Sequence, residues 1–144
     1  MPRNRLLYWS DWGETAKIER ISMDGDPTTR KMLRSQNYSW PNGLTIDFTT
    51  RKLFWVDAKR KTIEACDLVN GTNHLIVVEV LGQHPFSVTV FEDFVYWTDW
   101  TNAAIHRANK FNGENQTMVQ GGLYHPMGIT VFHGIQQPGG MELD

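Results

Sequence analysis

F-V-Y-W-T-D-W, residues 94 to 100, sets Tyr96 and Trp97 side by side ahead of Thr98, Asp99 and Trp100. The same figure stands as L-Y-W-S-D-W at residues 7 to 12, with Tyr8, Trp9 and Asp11. It stands again as L-F-W-V-D at residues 53 to 57, with Phe54, Trp55 and Asp57. From Tyr8 to Phe54 is 46 residues and from Phe54 to Tyr96 is 42, a period that marks a repeat architecture. Asp11, Asp57 and Asp99 are each followed 14 residues later by a glycine: Gly25, Gly71 and Gly113. Those glycines sit in D-G or N-G pairs, which mark hairpin turns. An isoleucine follows each aspartate by six or seven residues: Ile18, Ile63 and Ile105. Each unit closes on a shared phrase, W-P-N-G-L-T-I-D (40–47), H-P-F-S-V-T-V-F (84–91) and H-P-M-G-I-T-V-F (125–132).

Each unit reads as four short strands. In the second unit these are L-T-I-D-F, K-L-F-W-V-D, T-I-E-A-C-D-L and H-L-I-V-V-E, joined by short polar turns. No segment has helical periodicity over the ten or more residues a helix needs. Four antiparallel strands repeating at this period predict an all-β chain of β-propeller blades. In a strand, neighbouring side chains point to opposite faces. Tyr96 and Thr98 therefore face one way, while Val95, Trp97 and Asp99 face the other. Aromatics on both faces suit a blade sandwiched between two others, and Asp99 is placed to accept N–H groups of the following turn.

Composition narrows the function classes. With 144 residues, a net charge of -2 and a pI near 6.2, the chain has no broad positive field for nucleic acid. Its one basic run, R-K-L-F-W-V-D-A-K-R-K (51–61), reads as a solvated strand edge. No apolar run approaches a membrane span, and M-P-R-N-R has no apolar core behind it to make a signal peptide. The single cysteine, Cys66, lies in an alternating strand pattern and reads as a packed thiol. No Cys/His spacing matches a zinc site. Three acceptor sequons, at Asn37 (N-Y-S), Asn70 (N-G-T) and Asn115 (N-Q-T), point to the secretory pathway.

The Y-W-S-D, F-W-V-D and Y-W-T-D figures, the D/N-G turns and the proline phrases together resemble the YWTD propeller of the low-density lipoprotein receptor family. The likeness runs from about residue 5 to residue 138, leaving 139–144 as a tail. Longer phrases such as D-W-G-E-T-A-K-I-E-R and F-H-G-I-Q-Q-P look most like a large lipoprotein-receptor-related protein. The resemblance implies the last three of six repeats: three outer strands, two whole blades and one further inner strand at G-I-T-V-F (128–132). The tail G-G-M-E-L-D stands where the family's cysteine-rich module begins, so the chain reads as a fragment. Two copies could pair head to tail, strand 128–132 of one completing the blade begun by residues 5–35 of the other.

The family's propellers bind proteins, either ligands or neighbouring receptor modules, on one end of the disc near its axis. They do so outside the plasma membrane and in endosomes, and some assist ligand release at endosomal pH. The resemblance places Trp12, Trp40, His84, Trp100 and His125 on that end, although Trp12 and Trp40 are equally readable as packing residues. His84 matches a family position that serves a pH-dependent contact. The second histidine of that pair falls on Lys61, which stays charged across that range and cannot switch. His106 and His133 read as structural. Two other readings remain. A metal-dependent propeller hydrolase needs carboxylates converging on the axis, yet the inner strands offer only Asp47, and Asp11, Asp57 and Asp99 fall one per blade. An intracellular scaffold of WD type fits the period but lacks the G-H…W-D pairing. The expectation is a non-enzymatic binding module without cofactor or metal.

Overall fold

The computed structural model describes residues 5–133, which form three antiparallel sheets and one turn of 3-10 helix, Pro27–Thr29. Blade 1 has three strands, β1 (Leu6–Asp11), β2 (Gly13–Ser22) and β3 (Lys31–Ser39). Blade 2 has β4 (Pro41–Asp47), β5 (Lys52–Asp57), β6 (Thr62–Asp67) and β7 (Leu75–Glu79), in that order across the sheet. Blade 3 repeats this order with β8 (Pro85–Phe91), β9 (Phe94–Asp99), β10 (Ala104–Asn109) and β11 (Thr117–Gln120). The all-β repeat is as the sequence pattern predicts, and the Y-W figure falls on β1, β5 and β9.

Side chains alternate across these strands in the predicted sense, so blade 2 packs by both faces. Phe54 and Val56 of β5 turn toward blade 3 and share a buried cluster with Val88, Val95 and Trp97. Trp55, from the opposite face of the same strand, joins Ile18 and Leu33 of blade 1, with Leu53 and Cys66. Burying a ring such as Phe54 is worth about 1.5–3 kcal/mol. The expectation that Tyr96 and Trp97 fill two seams holds for Trp97 alone. Tyr96 faces the side of blade 3 on which, among the described residues, no further sheet packs, and its neighbour there is the edge of Phe94.

The hairpin glycines lock blade to blade. Gly71 has φ +74 and its missing Cβ would lie 2.3 Å from the Leu33 carbonyl oxygen of β3. Gly113 has φ +72 and would meet the Val77 carbonyl oxygen of β7 at 2.0 Å. A side chain at either place would force the blades apart.

One expected element differs. Among the described residues no strand forms over 128–132, because a strand requires a pairing partner and none lies beside this segment. The segment still follows the inner strand of blade 3: Thr98 Oγ1 donates to Met127 O at 2.8 Å, and Ile129 N donates to Ser87 Oγ at 3.3 Å. Ser10 Oγ makes the equivalent bond to Asn42 O at 3.1 Å, from β1 to the inner strand of blade 2. The hydroxyl of the Y-W-S/T-D figure thus ties blades 1 and 3 to the next inner chain, whereas blade 2 has Val56 in that place. The expected boundary at 138 and the tail 139–144 lie outside the described residues.

Candidate functional site

The aspartates that end β5 and β9 organise one end of the disc. Asp57 accepts from Lys59 N and Arg60 N of the following turn, both at 3.0 Å, as the sequence reading expects. It also accepts from Trp40 N at 3.2 Å and from the Ser39 hydroxyl, so it pins the start of β4. Asp99 does the same for β8, accepting from Thr101 N and His84 N, each at 2.9 Å. Burial pushes the Asp99 carboxyl up, but the bonds from His84 N, Asn102 and His106 hold it below the usual carboxylate range. Trp40 and His84, the residues before Pro41 and Pro85, are thereby fixed on this end.

Two aromatic groups stand there. In the first, Trp100 stacks on His84 (5.2 Å between centroids) and on Phe86 (4.8 Å), and His125 tilts against it at 5.8 Å. Trp100 Nε1 donates to Pro126 O at 2.9 Å, which makes this indole half-buried and rigid. In the second, Trp12 meets Trp40 edge-on at 5.9 Å. The Lys59 ammonium lies over both the Trp40 ring (5.6 Å) and the Tyr38 ring (5.2 Å). Trp12 is 68% exposed and Tyr38 62%. Between the two groups runs an open groove lined by Ser10, Trp12, Asn42, Gly43, Phe86 and Ser87.

All five expected contact residues thus share one end, in two sets: Trp12 with Trp40, and His84 with Trp100 and His125. Phe86, Tyr38 and Lys59 join them without having been anticipated. Tyr38 sits two residues before Trp40, and Lys59 two after Asp57, so the spacing relative to the motifs was the available signal. Ala58 occupies in blade 2 the place that Trp12 and Trp100 hold in blades 1 and 3.

Burial, then the charge of Lys61, depresses the His84 pKa below its ordinary value, with Asp99 pulling the other way. Lys61 thus makes the charged imidazole harder to form. His106 is buried, stacks on Trp97 and meets Asp99 at 2.9 Å, a structural role as expected. His133 tilts against Phe91 at 4.9 Å. Burial pushes the Cys66 thiol up to about 11, so it is no nucleophile at neutral pH. Asp11, Asp57 and Asp99 stay one to a blade, and among the described residues no three His, Cys, Asp or Glu side chains gather to hold a metal ion. Nor is any helix there long and apolar enough to cross a membrane.

The profile of low-density lipoprotein receptor repeat class B matches residues 5–48, 51–92 and 93–133, one match per blade. The vitellogenin receptor Yl of Drosophila melanogaster is 34% identical over 132 residues, covering 87% of this chain and 6% of the receptor. The vitellogenin receptor of Solenopsis invicta is 36% identical over 138 residues, covering 96% of this chain and 8% of that receptor. The chain therefore spans less than a tenth of either relative. Among solved structures, a nidogen/laminin complex aligns with TM-score 0.68 and 28% identity, over 85% of this chain and 46% of that one.

Proposed function

Because the chain belongs to the low-density lipoprotein receptor class B repeat family, we propose that it is a protein-binding module of a cell-surface receptor. The observation that carries this reading is the exposed set Trp12, Trp40, Tyr38 and Lys59 beside the groove. Aromatic rings anchored at their edges and open on one face are the usual hot spots of protein interfaces. Vitellogenin is the first probe, since two relatives carry that name. The immobilised chain is expected to retain vitellogenin at neutral pH, and Trp12→Ala to weaken binding about tenfold or more. Equal retention by Trp12→Ala overturns the assigned face, and failure to retain any protein probe overturns the binding reading.

The receptor setting extends the proposal to endocytic uptake, with the chain outside the plasma membrane and then in endosomes. Ligand release on acidification is part of it, with a restriction. His84, held below its ordinary pKa, charges only at a pH lower than that of an unperturbed imidazole, about 6.5. An acid-release profile that persists unchanged in His84→Gln assigns the release to other groups.

A second copy is a further partner under this proposal. Among the described residues no strand pairs with the inner edge of β1, and an apolar slot beside it is lined by Leu6, Tyr8, Leu44 and Ile46. The segment 128–132 of a second copy has the inner-strand pattern that would complete the blade begun by residues 5–35. Sedimentation of the chain is expected to show a dimer, and a purely monomeric folded species excludes it.

A further inference from the structure

Resting on the secretory setting of that reading, we propose that Asn70 and Asn115 carry N-linked glycans that shield the outer edges of blades 2 and 3. Both asparagines are exposed and lie in the hairpins leading to the outermost strands, β7 and β11. Both belong to threonine sequons, Asn70-Gly71-Thr72 and Asn115-Gln116-Thr117. At Asn70 the side-chain oxygen accepts from Thr72 Oγ1 at 2.8 Å and from Thr72 N at 3.4 Å. That geometry sets hydroxyl and amide side by side on an exposed residue. At Asn115, φ is +57 and Thr117 Oγ1 donates to the Asn115 carbonyl at 3.1 Å, so the asparagine side chain itself stays uncommitted. In the transfer, the amide nitrogen bonds to the anomeric carbon of a lipid-pyrophosphate oligosaccharide. The carbon–oxygen bond to pyrophosphate breaks, the nitrogen gives up a proton and the lipid pyrophosphate leaves.

Asn37 is the contrast within the chain. Its sequon ends in Ser39, whose hydroxyl is buried and donates to Asp57. That hydroxyl holds the start of β4 in the folded blade, so Asn37 is not among the glycan sites.

The reason for glycans at the other two places lies in the edges they adjoin. An unpaired outer strand with apolar side chains is a template for pairing with another chain. Ile76 on β7 and Met118 and Val119 on β11 are exposed large hydrophobics, and all four residues of β11 are exposed. Gly71 sits on the backbone of β3 and Gly113 on that of β7. A glycan on Asn70 therefore rises between the rims of blades 1 and 2. One on Asn115 rises between those of blades 2 and 3, at the head of β11. Both stand on the rim, away from the end that carries Trp12 and Trp100, so the binding face stays open.

The test places the chain behind a cleavable secretion leader in animal cells, which makes it independent of where the protein normally resides. Peptide mass spectrometry after glycosidase release in heavy-oxygen water is expected to mark Asn70 and Asn115. Thr72→Ala and Thr117→Ala each lose one glycan, whereas Thr72→Ser and Thr117→Ser keep it. Enzymatic removal from the folded chain is expected to raise light scattering several-fold during storage. Either asparagine unmodified in secreted chain, or no increase in association after removal, overturns the proposal. Loss of vitellogenin retention with both glycans in place would count against the receptor reading alone.

Discussion

Trp97 and Trp9 hold the same place in the repeated figure, yet Trp97 is wholly buried against blade 2 while Trp9 is half-exposed beneath the Arg30 guanidinium, 5.5 Å away. The same contrast recurs at every landmark. Gly113 and Gly71 each press on the strand of a preceding blade, whereas a Cβ on Gly25, at φ +80, would meet nothing within 4 Å. Asp57 and Asp99 pin an inner strand of their own blade, whereas Asp11 is exposed beside a sheet whose described strands include no inner one. Ile18 and Ile63 are buried in seams, while Ile105 faces the open side of blade 3. A motif residue in a propeller is therefore only as structural as the neighbour it meets.

That comparison breaks or sharpens under substitution, beginning with the tryptophans. Trp97→Ala is expected to cost about 3–5 kcal/mol in urea denaturation. Trp9→Ala should cost less than about 1.5 kcal/mol, and equal losses would refute the distinction between sealed and open faces.

The next effect concerns the seam between blades 2 and 3. There Lys110 Nζ meets Asp47 at 2.8 Å with both side chains buried, and Asp47 also accepts from Thr49 and Thr50. In blade 2 the place of Lys110 is taken by Leu68, which packs on the core that joins blades 1 and 2. Lys110→Leu leaves a buried carboxylate and is expected to lose about 3 kcal/mol, part of which Asp47→Asn restores. Burial pushes Asp47 up, yet Lys110, Thr50 and Thr49 hold it below its usual range. Its stabilisation is therefore present above the ordinary carboxylate pKa near 3.9 and is lost as pH falls below that. The doubly substituted chain should lack that acid limb in a pH series of melting curves.

Third come the glycines. Gly113→Ala combines positive φ with a carbonyl clash and is expected to cost more than about 2 kcal/mol. Gly25→Ala carries the backbone strain alone, about 1–2 kcal/mol. A melting-temperature shift as large for Gly25→Ala as for Gly113→Ala would show that the seam is looser than its geometry.

The smallest effect is electrostatic. His84 is depressed in the folded chain, so folding favours the neutral ring. The stability linked to it is intact above about 6.5 and falls as pH drops toward the folded pKa. Lys61→Met should raise the His84 midpoint in an NMR titration and reduce that loss. An unchanged midpoint would mean that burial alone sets it.

Much of this was legible beforehand for a physical reason. Repeats copy local chemistry, so the period, the D/N-G hairpins and the strand edges of blade 2 follow from side-chain alternation and turn preference. The five candidate residues share one end through their position relative to the prolines and aspartates. Their grouping was not legible. Nothing local distinguishes Trp12, open to solvent, from Trp100, stacked on His84 and Phe86 and bonded to Pro126 O. Lys59 over Tyr38 and Trp40 depends on two turns meeting across blades, and the Lys110–Asp47 pair spans a seam.

By itself, then, the order of residues determined the blade: its four strands, its turns, its two-faced aromatic strand and its aspartate clamp. These depend on interactions among residues close in the chain or paired in one sheet. Only the tertiary structure decided which copies of each motif are sealed, which tryptophan is open and where 128–132 runs without a strand partner. Burial is a property of what lies on the far side of a face, and no side chain carries that information alone.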